Sequence, residues 1–545
     1  MDKYSRAPVY GTRGMVATSQ PLAVAAGLEI LSGGGNAADA AVAAAAALNV
    51  TEPTSTGLGG DCFALFYQAG SGAVFALNGS GRAPKELTIN RLRREGFDRE
   101  LPPFHPYTIT VPGAPAGWCD LVERFGRLSM KEVLNPAIRL AENGFPVSPL
   151  TAHFWKIGFE KQLKKAPGGL ELTIDGKPPQ PGQLFKNPGL ARALKILAAE
   201  GKDSFYNGQI GRAVVQVARE AGGCLNEEDL AAHRSDWVAP VSTTYRGLRV
   251  WECPPNGQGL AALLALNILE GYDLGTLDPL STQRLHLEIE AMRLAFADAR
   301  WYIADPEFKP APVETLLSKD YAQQRRRLIN REKATVNQVK GSPFISSDTV
   351  YLSVVDGGGN ACSFINSNYM GFGTGIVPAG WGFSLQNRGA NFSLDPAHPN
   401  ALEPGKRPYH TIIPGLVTIP TEGKSGSEKL EELYACFGVM GGFMQPQGHV
   451  QVLTGLIDDN LNPQSALDRP RFCIINGEAG GPVALERGIQ AEVARKLSEM
   501  GHDIEPDSEG LFHLYGLGQI ILRNPKDGVL CAGSDPRADG CAMTY

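Results

Sequence analysis

The chain has 545 residues, 43% of them hydrophobic, and its formal net charge of −6 is spread without any basic stripe, which argues against a nucleic-acid partner. The longest apolar run, nine residues from Ala40 to Leu48, is too short to span a membrane, and the opening MDKYSRAPVYGTRG lacks the apolar stretch of a signal sequence, so no membrane partner is expected. Nine cysteines (Cys62, Cys119, Cys224, Cys253, Cys362, Cys436, Cys473, Cys531, Cys541) are odd in number and lack paired metal spacing, as buried thiols in a reducing compartment would be, and a cytoplasmic location is the expectation.

In chain order, apolar spacing predicts a helix over Ala37 to Val50, a strand over Cys62 to Tyr67 and a helix over Asn135 to Asn143. A polar, turn-rich linker follows from Gly168 to Leu184, then a strand over Leu248 to Glu252 and helices over Leu260 to Leu269 and Leu285 to Ala299. The stretch Arg331 to Asp348 is polar and without apolar period, an exposed loop. It feeds a buried strand in which Val350, Leu352 and Val354 alternate with Tyr351, Ser353 and Val355 before the turn Gly357 to Gly359. Further on come a strand over Ile412 to Ile419, a linker from Thr421 to Lys429, a helix over roughly Gln445 to Leu456 and a strand over Gln519 to Leu522. Spacing alone gives mixed α/β with no internal repeat, and length alone predicts two or more domains.

Short motifs for common cofactors fail in their context. GGGNAA (Gly33 to Ala38) follows a helical pattern, where a dinucleotide fingerprint needs a strand. The GKS at Gly423 lacks the earlier glycine of a P-loop, Thr418 standing there, and no H-E-x-x-H or G-x-S-x-G occurs. No cofactor and no metal are therefore expected.

A set of collinear segments is more informative. GMVATSQPLAVAAGLEILSGGGNAADAAVAAAAALNV (Gly14 to Val50), TGLGGDCFALFY (Thr56 to Tyr67), VPGAPAGW (Val111 to Trp118), NPAIRLAENGFPVS (Asn135 to Ser148), YRGLRVWECPPNGQG (Tyr245 to Gly259) and AMRLAFADARWYIADPEF (Ala291 to Phe308) lie in the first two thirds. SSDTVYLSVVDGGGNACSF (Ser346 to Phe364), GFGTGIVPAGWGFSLQN (Gly371 to Asn387), PGKRPYHTIIP (Pro404 to Pro414), GVMGGFMQPQGHV (Gly438 to Val450) and GSDPRADG (Gly533 to Gly540) complete it. In this order they resemble the gamma-glutamyl transpeptidase family of self-processing N-terminal-nucleophile hydrolases, most nearly its acylase and oxamate amidohydrolase branch.

The resemblance implies a four-layer α/β/β/α sandwich, cut between Asp348 and Thr349 into interwoven chains of residues 1–348 and 349–545. These associate as a heterodimer, and further dimerisation is left open. Family members are often exported; here a cytoplasmic location is the expectation. Thr349 would be the nucleophile, Ser367 a second hydroxyl hydrogen-bonded to it, and the N–H groups of Gly441 and Gly442 the oxyanion donors, close to a helix N-terminus. Once freed, the Thr349 α-amine, with a reference pKa of about 7.7 to 8.0, can take the hydroxyl proton.

Departures from the family pattern fall in the donor pocket. Ser80 stands where transpeptidases carry a carboxylate-binding arginine, and the arginine is displaced to Arg82. His410 and Thr411 replace two serines, Asn391 replaces the acid that grips the α-amine, Tyr369 an asparagine and Arg388 a glutamine. Zwitterion recognition is lost, and Arg82, Arg388 and His410 together could form a basic pocket. The expected substrate is a small amide whose acyl part carries a carboxylate without an α-amine, oxamate-like or glutaryl-like. A gamma-glutamyltransferase or glutathione hydrolase with a rearranged pocket, and a non-catalytic scaffold, are the alternatives. Arg82 and Arg388 are also residue types that build structural salt bridges, and His410 one that packs or caps.

Overall fold

A computed structural model describes residues 6–335, 349–422, 429–505 and 512–545. Its centre is a pair of seven-stranded sheets. One runs, edge to edge, Cys541–Thr544, Met15–Thr18, Val350–Val355, Ala361–Ser367, Asp61–Gln68, Ala73–Gly79, Asp236–Val238. The other runs Val9–Gly11, Leu530–Ser534, Leu517–Arg523, Lys429–Met440, Gly415–Glu422, Leu248–Glu252, Val241–Tyr245. All pairings within these two sheets are antiparallel.

Period-two alternation sorts side chains between two cores. Val350, Leu352 and Val354 join Phe364, Ala64 and Phe66 beneath the helices Pro21–Ser32, Ala37–Thr51, Ala114–Phe125, Met130–Asn143 and Pro188–Glu200. Tyr351 and Val355 point the other way, into a core shared with Phe63, Leu65, Leu416, Cys436 and Ile521, between the sheets. Outside the second sheet, Val250, Val417, Phe437 and Val439 pack against Gly259–Leu269, Thr282–Tyr302 and Met444–Ile457. The layers are thus helix, sheet, sheet, helix, the architecture expected.

Helix Ala37–Thr51 shows how composition sets this packing. Asn36 and Asp39 close a capping box, the Asn36 side chain accepting from Ala38 and Asp39 N–H and its own N–H donating to Asp39 at 3.0 Å. Every residue of the helix is buried. Only small side chains allow neighbours to approach it from all sides, and Ala43 to Ala47 supply them.

Each sheet contains strands from both before and after position 348, so the two-domain expectation from length gives way to a single interwoven unit. Most predicted elements appear with shifted ends. The strand expected from Ile412 starts at Gly415, because the amides of Ile412 and Ile413 are taken by His410 Nδ1 and Gln445 Oε1 and Pro414 has none to give. The Gly168 to Leu184 linker contains a short turn of 3₁₀ helix, Gly169–Leu172, and one residue of the two-stranded pair Leu184–Phe185 with Phe145–Pro146. Among the described residues, no helix is long and apolar enough to cross a membrane.

Candidate active site

Strand pairing brings the two predicted hydroxyls together. Val350 faces Asn366 across the ladder, so the next position places Thr349 opposite Ser367, and their oxygens lie 3.1 Å apart. Both residues are fully buried. Asp348, the expected partner in scission, lies outside the described residues.

The oxygen of Ser367 accepts the Tyr369 N–H at 2.8 Å and a guanidinium N–H of Arg388 at 3.1 Å. Thr349 Oγ1 is within hydrogen-bond distance of the same oxygen, and either hydroxyl can be the donor of that pair. Tyr369 holds a left-handed φ of 81°, a conformation that costs a non-glycine residue about 1–3 kcal/mol. Its hydroxyl donates to Asn391 Oδ1 at 2.6 Å and its ring stacks under Arg388 at 4.3 Å, which offset that strain.

Arg388 is the unusual group. It is fully buried, donates to Thr411 Oγ1 at 2.7 Å and to Ser367, and leaves its Nε without a hydrogen bond. Among the described residues no carboxylate pairs with it. Burial lowers its pKa to about 10, so it stays charged at neutral pH, and the cost of an unpaired buried cation is borne next to the nucleophile.

The oxyanion glycines follow from the crossing of the two sheets. Ser353 Oγ donates to Cys436 O, and Tyr351 packs so closely on Gly438 that an added Cβ would lie 2.5 Å from its ring. Two residues beyond Gly438 that strand ends at Met440, and Gly441 and Gly442 follow it. These two have φ of 134° and 59°, which glycine adopts freely. Their carbonyls accept from Met444 and Gln445 at the start of helix Met444–Ile457. Neither N–H is bound to an acceptor among the described residues, so two backbone donors remain available at a helix N-terminus.

The expected basic pocket is corrected at two positions. Arg82 is turned toward carboxylates, at 2.9 Å from Glu307, 3.2 Å from Asp305 and 3.8 Å from Asp236. His410 is a neutral core histidine. Its Nδ1 takes the Ile412 N–H, so Nε2–H donates to Asp61 Oδ2 at 3.0 Å, and burial, then the Arg388 charge, lowers its pKa to about 3. Of the three, Arg388 is the one joined to Thr349, through Ser367. Asn391 is committed to Tyr369 and, through its amide, to the Tyr409 carbonyl.

Three further polar residues were not singled out from sequence. Asp61 accepts from Gly81, Gly113, Gln386 and His410, joining four segments at one carboxylate. Gln258 donates to the carbonyls of Thr411 at 2.6 Å and Gly442 at 2.8 Å, fixing the glycine turn against the Arg388 anchor. All three stood within quoted segments, TGLGGD, PPNGQG and FSLQN, but their roles are long-range contacts that local spacing does not reveal.

Comparison with known proteins settles the lineage. The family model described as gamma-glutamyltranspeptidase matches residues 23–545. The chain belongs to the gamma-glutamyltranspeptidase family. It is 37% identical to the glutathione hydrolase-like YwrD proenzyme of Bacillus subtilis, over 98% of this chain and 99% of that one. It is 34% identical to the oxamate amidohydrolase proenzyme of Klebsiella pneumoniae, over 98% and 99%. Among solved structures, cephalosporin acylase from Bacillus halodurans superposes with a TM-score of 0.91 at 45% identity, covering 99% of this chain and 97% of that one. This gamma-glutamyltranspeptidase family member is accordingly an N-terminal-nucleophile hydrolase, an amidohydrolase with acylase and oxamate amidohydrolase relatives.

Proposed function

We propose that the chain cuts itself between Asp348 and Thr349 and then hydrolyses a small amide whose acyl part bears a carboxylate and no α-amine. In processing, Thr349 Oγ attacks the Asp348 carbonyl carbon, the acyl group passes from nitrogen to oxygen, and water hydrolyses the ester. This leaves a carboxylate on Asp348 and a free amine on Thr349. In turnover that amine accepts the hydroxyl proton as Oγ attacks the substrate carbonyl. The Gly441 and Gly442 N–H groups receive the oxyanion, the amine product leaves with the proton, and water releases the acid from the acyl-threonine.

The observation that carries the substrate class is Arg388: a buried guanidinium with no carboxylate partner among the described residues, bonded to the same Ser367 that touches Thr349. A substrate carboxylate would complete it. Of the candidate acceptors for an ammonium, Asp61 is filled by four donors and Asn391 by Tyr369. The relatives named as oxamate amidohydrolase and cephalosporin acylase support the reading.

The test compares oxamate, glutaryl and gamma-glutamyl amides on the wild type and on Arg388→Met. Losing a hydrogen bond to a charged group, about 1.5–3 kcal/mol, lowers kcat/KM for the carboxylate-bearing amides by roughly 10- to 150-fold. Preference for the gamma-glutamyl amide, or equal rates in wild type and variant, overturns it.

A further inference from the structure

Away from Thr349, three buried groups converge on a point that the reaction does not use. His286 and Glu290 sit one turn apart on helix Thr282–Tyr302, and His502 meets them from the other end of the chain. One ligand atom from each lies within 4.8 Å of the others. All three are buried, with exposures of 0%, 1% and 3%.

Their hydrogen bonds prepare them for a cation. His286 Nε2 lies 2.7 Å from the Asn330 carbonyl, which can only accept, so Nε2 carries the proton and Nδ1 presents a lone pair. That lone pair faces His502 Nε2 at 2.8 Å. A histidine that donates its far N–H to a backbone carbonyl while aiming its near nitrogen inward is the usual arrangement of a metal-bound imidazole. Glu290 uses Oε2 for the Thr335 amide and hydroxyl, and Oε1 has no hydrogen bond. His502 Nδ1 is likewise without one. The other charge facing the cluster is Arg293, whose Nε is 3.9 Å from Glu290 Oε1 and whose Nη1 is held by the Ala479 and Gly481 carbonyls.

We propose that His286, Glu290 and His502 form a structural binding site for a divalent transition metal, zinc best matching two imidazoles and a carboxylate. Binding needs the two ring nitrogens to part to roughly 3.3 Å, as zinc–nitrogen bonds of about 2.0–2.1 Å in a tetrahedron require. His502 moves its proton from Nε2 to Nδ1, so both rings remain neutral. No spacing signal marks the site, because the histidines are 216 positions apart.

The site has a consequence that rests on the proposed scission. His286 and Glu290 precede position 348 and His502 follows it, so one metal ion would tie together the two chains of the mature enzyme. It would also hold the segment leading toward the junction, since Asn330, Ala334 and Thr335 are bonded to His286, the Met500 carbonyl and Glu290.

The test is zinc content, by plasma mass spectrometry, of wild type, Thr349→Ala, His502→Gln and Glu290→Gln purified from zinc-supplemented cultures. About one zinc per protein is expected in the first two, and at least about tenfold less in the others. Stripping zinc with a chelator should lower the thermal midpoint of the wild type and leave that of His502→Gln unchanged. Equal zinc in wild type and both cluster variants, or none in any, overturns the site. Zinc present in a wild type that stays one chain would overturn scission alone.

Discussion

Replacing Ser367 by alanine removes one oxygen and strands two buried donors. The Tyr369 N–H at 2.8 Å loses its acceptor, and Arg388 loses one of the two hydroxyls that hold it. An unsatisfied buried donor costs about 1–3 kcal/mol, more when charged, so Ser367→Ala should destabilise the fold by roughly 3–5 kcal/mol. With unfolding entropy near 2.1 cal/mol/K per residue, each kcal/mol is worth about 1 °C in a chain this long, and the thermal midpoint should fall roughly 3–5 °C. The comparison belongs in a Thr349→Ala background, where both proteins are single chains, by calorimetry at one scan rate. In the Thr349 background the same change should also slow scission, because Thr349 Oγ1 loses its neighbour at 3.1 Å. A midpoint within about 1 °C of the parent, together with normal processing, would refute the claim that Ser367 organises both Arg388 and the nucleophile.

Gly441→Ala puts a side chain on a backbone with φ of 134° and 3.2 Å from the Gly516 Cα. It should displace an oxyanion donor and cost roughly 100- to 1000-fold in kcat with KM little changed; a purified variant of unaltered kcat would contradict the assignment. His410 supplies a pH test. Burial and the Arg388 charge hold its folded pKa at about 3 against 6.5 for a free imidazole, so below pH 6.5 the unfolded chain takes up a proton that the folded one refuses. That contribution to stability is complete above the unfolded value and is lost as pH falls toward the folded one. Thermal midpoints measured downward from neutral pH should fall less steeply for His410→Gln than for wild type; parallel curves would show that His410 is not a source of the acid sensitivity.

Much of the fold could be read from the residues because its signals are local. The alternation from Val350 to Val355 marked a buried strand and the apolar spacing from Ala37 to Val50 a helix, while the facing of each side chain and the Asn36–Asp39 box emerged only in the fold. The hydroxyl pair was legible for a different reason, a resemblance carried by motifs, and the ladder between Val350 and Asn366 then accounts for their contact. What sequence could not show was the ownership of charges. Arg82 and Arg388 are equivalent as letters, yet one is claimed by Asp236, Asp305 and Glu307 and the other by no acid among the described residues. Those partners are distant in sequence, as Asp61 is from His410, so the two arginines separate only when the chain is folded.

The most direct test is intact-mass analysis with N-terminal sequencing of protein that is turning over substrate. Two polypeptides are expected, the smaller beginning Thr349-Val350-Tyr351, and a Thr349→Ala protein that remains whole. A fully active sample consisting of one 58.3 kDa chain would contradict that expectation.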